Sequence, residues 1–320
     1  MKRIGNLYVQ IISPENIEAS ELKARRGKSS QYGVIRFDKN KDYNLQMLHE
    51  ILKLKTYKTS IYKTFKVYEP KERIVFKLPY YPDRITHHAI MNIMESHFTN
   101  WFTNDSYSSI KGKGIHKASS NLKLALQDKE NTTFCLKLDI VKFYPNVNHD
   151  ILKQLLRKKI KDQDLLWLLD EIIDSADGLP IGNYLSQYFA NFYLTYFDHW
   201  IKEELQIKHY FRYADDIVIL SYSKEHLHQV LAQIKHYLNT NLKLEIKSNY
   251  QIFPVEARGI DFVGYVHFHT HTLIRKSIKK RMAKVFKKRK NKATIAGYLG
   301  WTKHANTKNL MKKLLPNDSI

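Results

Sequence analysis

The stretch His209-Tyr210-Phe211-Arg212-Tyr213-Ala214-Asp215-Asp216-Ile217-Val218-Ile219-Leu220 constrains this chain more than any other. Tyr210 to Tyr213 reads as one strand and Ile217 to Leu220 as a second, joined by a turn that carries two adjacent carboxylates. Such neighbours repel each other, and a bound divalent cation removes the repulsion. The apolar flanks predict a buried hairpin with its acidic tip at the floor of a cleft. An ordinary polar turn would explain Asp-Asp alone equally well. A third carboxylate decides between them: Phe134-Cys135-Leu136-Lys137-Leu138-Asp139-Ile140 is an apolar strand ending in Asp139, and Phe143-Tyr144-Pro145 closes the unit. Two strands that deliver three aspartates to one point meet the requirement of two-metal phosphoryl transfer. The ~75 residues between them leave room for a helical crossover.

The partner of such a site is a polyanion, and the charge balance agrees. The chain carries 53 Lys and Arg against 31 Asp and Glu, for a net charge of +22 and a pI near 9.7. That field favours nucleic acid and speeds its capture. With 43% apolar residues over 320 positions, wholesale disorder is excluded and two or three subdomains can bury a core. No run approaches the roughly 20 apolar residues of a membrane span. Met1-Lys2-Arg3-Ile4-Gly5-Asn6 lacks the apolar segment of a secretory leader. Cys135 is the single cysteine, so no intrachain disulfide is expected and a reducing, cytoplasmic setting without a membrane partner is.

Taken in order, residues 15–31 read as a short helix running into a basic segment. Leu22 stands where a nucleotide-binding loop needs its first glycine, so Arg25, Arg26 and Lys28 are read as a patch for nucleic-acid phosphate, with a solvated charge run as the alternative. Residues 62–68 and 73–79 form a hairpin about the turn Glu69-Pro70-Lys71-Glu72. Near its tip, Lys71 supplies a point charge and Arg73 a bidentate fork, a pairing suited to a triphosphate. Asp83 is a candidate N-cap for a helix from Arg84 to Phe102. His87 and His88 on it diverge by about 100° and are read as packing or RNA-facing rather than as ligands. The glycine-bearing loop 107–117 offers Lys111, Lys113 and Lys117 to phosphate. Asp150 is a candidate cap for the next helix. Gly178 and Gly182 flank a tight loop whose backbone can approach a nucleobase. Residues 244–247 and 250–253 read as short strands, and Gly259 to Tyr265 as a hairpin. His267, His269 and His271 alternate along its exit strand, which predicts a nucleic-acid-facing edge rather than a metal site. Arg275 to Lys290 holds ten Lys or Arg among sixteen positions. Ile278, Met282, Val285 and Phe286 give that helix a packing stripe, leaving Lys279, Lys280, Lys287 and Lys288 for phosphate.

Tyr213-Ala214-Asp215-Asp216 resembles the Tyr-x-Asp-Asp box of reverse transcriptases, and Asp139 followed by Tyr144 resembles their first palm motif. Most such enzymes carry Gln-Gly-x-x-x-Ser-Pro where this chain has Ile181-Gly182-Asn183-Tyr184-Leu185-Ser186-Gln187. Ile in place of Gln and Gln in place of Pro is similar to the reverse transcriptases of diversity-generating retroelements. Over residues 20–315 the resemblance implies an α+β right-hand polymerase fold, with fingers at 1–115, an antiparallel-sheet palm at 116–265 and a helical thumb at 266–320. It leaves no room for the maturase or endonuclease extensions of intron-encoded relatives. It further implies RNA-templated DNA synthesis, error-prone at template adenine, by attack of a primer 3′-OH on the α-phosphate of a dNTP. Two Mg²⁺, with Mn²⁺ as an alternative, are implied at Asp139, Ile140 and Asp215, with Asp216 as a second-tier ligand. Tyr144 is the implied steric gate. Lys71 and Arg73 hold the β and γ phosphates, and Ile181, Gly182 and Gln187 line the nascent pair. Lys247 resembles the palm lysine that protonates the leaving pyrophosphate. Tyr213, and Gly264 in a hairpin similar to the primer grip, contact nucleic acid. Template RNA, the cDNA/RNA hybrid and dNTPs are the implied partners, and a small, basic, oligomeric accessory protein stays open. So do a retron-like or abortive-infection-type enzyme, the latter primed from one of 21 tyrosines, and an idle RNA-binding scaffold.

Overall fold

The computed structural model describes residues 3–68, 72–287 and 291–314. Its contacts divide the chain into two units. One comprises Met1–Phe102, Lys142–Tyr196 and Thr240–Leu244; the other comprises Thr103–Val141, Phe197–Asn239 and Glu245–Ile320.

The first unit is mainly helical. Its helix Pro14–Ala24 begins where the Ser13 hydroxyl accepts from the Asn16 N–H and Pro14 occupies a position that needs no donor. Asn148, Asp162 and Asn183 cap the helices His149–Lys159, Gln163–Ile173 and Tyr184–Tyr193 in the same way. The expected cap at Asp150 is thus corrected. Asn148 accepts from the Ile151 N–H at 3.0 Å, and Asp150 sits in the first turn, where its charge suits the helix dipole. Helix Ile85–Trp101 buries Ile85, Ala89, Ile90, Met94 and Phe98 and leaves Ile93 half-buried. The Phe98 ring meets those of Trp101, Phe102, Tyr188, Phe189 and Phe192 at centroid distances of 5.5 to 6.4 Å. Asp83 does not cap this helix. A π turn over Tyr80–Arg84 precedes it, and the buried Asp83 carboxylate accepts from the Tyr57 hydroxyl and the Ser60 N–H. Burial holds His87 neutral, pushing its pKa down to about 3, and the His88 ring lies tilted against that of Tyr184, centroids 4.8 Å apart. Strands β1 (Lys63–Tyr68) and β2 (Glu72–Lys77) pair antiparallel as a separate, largely exposed ribbon.

The second unit is built on a four-stranded antiparallel sheet of β3 (Phe134–Asp139), β4 (His209–Tyr213), β5 (Asp216–Ser221) and β6 (Gln251–Pro254), in the order β4-β5-β3-β6. Side chains alternate between faces, so Cys135, Phe211, Val218, Leu220 and Phe253 share one face. They pack in one core with Tyr107, Leu122, Phe262, Tyr265 and Met282. Leu136, Leu138, Ile217, Ile219 and Tyr210 fill the opposite face, and both faces are buried. The expected strand at 244–247 reduces to a single bridge, Ile140 to Ile246. A second sheet follows: β7 (Ile260–Phe262), β8 (Tyr265–His267) and β9 (Thr272–Ile274). Because β8 ends at His267, His269 and His271 lie in a connection rather than along a strand, and the expected three-histidine face does not form. The basic helix Lys276–Lys287 buries Met282, Val285 and Phe286 in the core just described, while Lys279, Lys280 and Lys287 are exposed.

Candidate active site

The register of the four-stranded sheet places Asp139 opposite Asp216, and Asp216 opposite Tyr213. Ala214 and Asp215 therefore form a two-residue turn. Ala214 lies in the left-handed region at φ 54°, and the Asp215 carbonyl accepts from the Ile140 N–H at 3.3 Å. Ile140 itself is buried. The side chains of Asp139 and Asp215 remain 33% and 38% exposed, so the tip is open to a ligand.

An ammonium group joins these two carboxylates. Lys247 Nζ lies 3.5 Å from Asp139 Oδ1 and 3.8 Å from Asp215 Oδ2. Its backbone is held there by the bridge at Ile140, in which the Lys247 N–H donates to the Asp139 carbonyl and the Val141 N–H to that of Glu245. Asp216 is engaged differently. Lys137 Nζ donates to its Oδ1 at 2.7 Å and lies 5.6 Å from the centre of the Phe262 ring. Burial pushes the Asp216 carboxyl up to about 6; Lys137 opposes the rise, and Asp139 and Asp215 add to it. Among the described residues no group of three His, Cys, Asp or Glu side chains converges as a metal set. The site offers two converging carboxylates, with the third tied to a lysine. Lys137 escaped the sequence reading although its signal was present: it stands two residues before Asp139, hence on the same face of β3.

The other expected nucleotide-binding residues belong to the first unit. The Tyr144 carbonyl accepts from the Leu179 N–H at 2.8 Å, and Gly178 (φ 59°) leaves the space that this contact needs, since a Cβ there would meet Pro145 O at 2.4 Å. The Ile181 carbonyl accepts from the Phe76 N–H of β2 at 2.7 Å. Gly182, at φ 109°, passes so close that a Cβ would lie 2.5 Å from Phe76 O. Asn183 Nδ2 donates to the Tyr62 hydroxyl at 2.9 Å. Tyr144, Ile181, Gly182 and β2 thus share one loop cluster, while Gln187 is exposed on the following helix and Arg73 is exposed on β2. Lys71 and Lys288 lie outside the described residues.

The expected phosphate contacts sort by their partners. Arg25 bonds Glu21 and Asp38, both at 2.6 Å, whereas Arg26 is exposed. Lys28 is half-buried, and burial together with Arg84 lowers its pKa. Lys113 donates to the Thr103 and Asn104 carbonyls, leaving Lys111 and Lys117 as the exposed lysines of that loop. Tyr213 is half-buried against the core. Gly264, at φ 90°, makes room for the Trp301 ring, which a Cβ would meet at 2.5 Å.

The chain is similar to known proteins. The family described as reverse transcriptase (RNA-dependent DNA polymerase) has a model that matches residues 61–267. Protein YkfC of Escherichia coli is 25% identical over 259 residues, 66% of this chain and 66% of its own. An uncharacterized 91 kDa protein in the cob intron of Schizosaccharomyces pombe is 26% identical over 165 residues, 48% of this chain and 20% of its own. Telomerase from Candida albicans, in complex with a fragment of telomeric RNA, matches with a TM-score of 0.54 at 10% identity, over 84% of this chain and 58% of that one. The chain thus spans just under two thirds of YkfC and a smaller share of the other two.

Proposed function

The chain belongs to the reverse transcriptase family and has the right-hand polymerase fold, and from that premise we propose that it copies an RNA template into DNA at the site formed by Asp139 and Asp215. The observation that carries this reading is the Lys247 ammonium between the two carboxylates. A cation already bridges them, and hard oxygen donors of this kind suit Mg²⁺ or Mn²⁺. Asp139 and Asp215 would hold that ion, with the tied Asp216 behind them. When bound, it would supply Lewis-acid stabilisation of phosphate charge.

The remaining work falls to the chain itself. Lys247 Nζ, beside both carboxylates, is placed to serve as the proton donor that a leaving pyrophosphate needs. Tyr144, whose carbonyl accepts from the Leu179 N–H, is the residue we assign as the gate against a ribose 2′-OH. Arg73, with Lys71, grips the β and γ phosphates. Arg26, Lys111, Lys117, Lys279, Lys280 and Lys287 are exposed and supply phosphate contacts to template and hybrid.

Within the family, we assign the chain to the diversity-generating retroelement branch, on Ile181 and Gln187. A glutamine at position 181 would add a side-chain hydrogen bond to the loop; isoleucine cannot. The loop still keeps its backbone bond from Phe76, so the expected gain in error is one hydrogen bond's worth, about 1 kcal/mol or several-fold. Sequencing cDNA made from one RNA by wild type and by Ile181→Gln tests this. Wild type should misincorporate most at template adenine, and the variant should do so several-fold less. Equal error at all four bases would remove the branch assignment and leave the family. DNA joined covalently to the protein would move the chain to the protein-primed relatives.

A further inference from the structure

Behind the acidic turn, on the opposite face of the sheet from Lys137, the second unit holds a fully buried ion pair. Arg212 and Asp198 both have side chains at 0% exposure. Arg212 Nε donates to Asp198 Oδ1 at 2.7 Å and Nη2 to Asp198 Oδ2, in the two-pronged geometry that a guanidinium shares with a carboxylate. Nη2 also donates to Ser106 Oγ at 2.9 Å, and Ser106 Oγ donates to Asp198 Oδ2 at 2.9 Å. The Tyr210 hydroxyl completes the ring by donating to Asp198 Oδ1 at 2.6 Å. The backbone of Arg212 is fixed as well: its N–H donates to the Asp105 carbonyl at 2.9 Å, and its carbonyl accepts from the Tyr107 N–H at 3.0 Å.

One arm of the guanidinium remains, and it points forward. Arg212 Nη1 donates to the carbonyl of Ala214 at 3.1 Å. Ala214 is the residue held at φ 54°, a left-handed region that an L side chain enters only at a cost. The carbonyl of the next residue, Asp215, accepts from the Ile140 N–H. Both peptide carbonyls of the two-residue turn therefore have fixed donors, one from the buried arginine and one from β3.

We propose that Arg212, locked by Asp198, is a positioning residue: it holds the strained Ala214 peptide so that the Asp215 carboxylate is aimed before any cation arrives. Replacing a buried ion pair by apolar side chains of similar volume is often neutral or stabilising, so stability alone gives little reason to place one here. Orientation does. Only a planar fork can bond a carboxylate along one edge and a carbonyl along another; a lysine in its place reaches one of the two. The inference rests on the reading of Asp215 as a cation ligand, and it adds that the ligand's direction is set from the back of the sheet.

The test uses the full chain and reads Mn²⁺ binding by electron paramagnetic resonance without nucleic acid, together with Tm and the Mg²⁺ dependence of primer extension. Arg212→Lys keeps the charge against Asp198 and loses the arm to Ala214. It should weaken Mn²⁺ binding by about tenfold or more, as removal of an outer support of a metal site does, and should raise the Mg²⁺ needed for half-maximal extension in step. The double variant Arg212→Met with Asp198→Leu leaves no unpaired charge behind. It should keep Tm within a few degrees and show the same loss of Mn²⁺ affinity. Wild-type Mn²⁺ affinity and Mg²⁺ dependence in Arg212→Lys would overturn the proposal and reduce the pair to packing. Asp215→Asn, measured alongside, separates the two levels. If that variant binds Mn²⁺ and extends primer like wild type, the underlying metal-site reading fails, whatever Arg212 does.

Discussion

Two hairpins in this molecule carry charged side chains on their strands or turn, and they follow the same local rules. Both β1–β2 and β4–β5 are antiparallel, short and alternating. They differ in what surrounds them. β1–β2 is a two-stranded sheet on its own, with Phe65 49% and Ile74 50% exposed. In β4–β5, strand β5 is flanked by β3 and β4, and residues 217–220 are buried. A lone hairpin is marginally stable in water, so groups on it must be ordered by the ligand they meet, at a cost to affinity. A hairpin inside a sheet has met that cost during folding. The chain puts its carboxylates on the fixed hairpin, and Arg73, proposed above as a phosphate grip, on the exposed one. Neighbouring strands, rather than the hairpin sequence, decide which tip is preorganised.

The largest effect expected from that contrast is at the fixed tip. Asp215→Asn should slow primer extension on poly(rA)/oligo(dT) by at least about a thousandfold, each tenfold being about 1.36 kcal/mol of barrier. RNA affinity and Tm should stay near wild type, since the side chain is 38% exposed and the substitution relieves repulsion with Asp139 and Asp216. A variant that kept its rate to within about tenfold would show that the tip is not the reaction centre.

The sequence makes the fixed hairpin legible, because period-2 apolar runs bracket the two aspartates and a third apolar strand ends in Asp139. The same reasoning fails where a partner is remote. Asp83 looks like a cap from its neighbours, yet its partners Tyr57 and Ser60 lie 26 and 23 residues away. Asn148 and Asp150 precede the same apolar run, and local pattern does not say which backbone N–H groups are left open. The alternation of His267, His269 and His271 is a strand signal only while a strand continues, and the connection after His267 breaks it. Arg212 stands out as a charge inside an apolar strand, but Asp198 is 14 residues away and Ser106 is 106. No spacing rule joins them. The departure at Ile181 is visible from sequence, whereas the backbone bond from Phe76 that steadies the loop is not.

That loop is where β2 gains a fixed attachment, the bond from Phe76 to Ile181, so it offers the second test. Gly182→Ala puts a Cβ 2.5 Å from Phe76 O at φ 109°, and either the loop or β2 must move. The expected outcome is a Tm drop corresponding to about 1–3 kcal/mol, from backbone strain and a strained Phe76–Ile181 bond. With it should come a fall of about ten- to a hundredfold in kcat/KM for dNTP, since misplacement of a positioning element is felt at the reaction centre. Gly112→Ala is the matched control: φ is 77°, and nothing lies within 4 Å of its Cβ. It should show the strain without the kinetic loss. Equal kinetics in the two variants would mean that β2 and the loop do not act together.

The smallest effect is expected at the exposed hairpin itself. Arg73 stands on β2 opposite Val67, and its side chain is free to solvent rather than packed. Arg73→Ala should therefore change stability by no more than about 0.5 kcal/mol. A charge-assisted hydrogen bond to phosphate is worth about 1.5–3 kcal/mol, and ordering a long, exposed side chain subtracts about 0.5–1.5 kcal/mol of that. The remainder predicts a rise of roughly tenfold in KM for dNTP, with kcat nearly unchanged because the grip is made in the ground state as well. Arg73→Lys should recover part of the loss by restoring the point charge without the fork. Steady-state kinetics over a dNTP series would separate these terms. If Arg73→Ala instead lowered kcat as far as Asp215→Asn does, the exposed tip would be as preorganised as the buried one, and the distinction between the two hairpins would collapse.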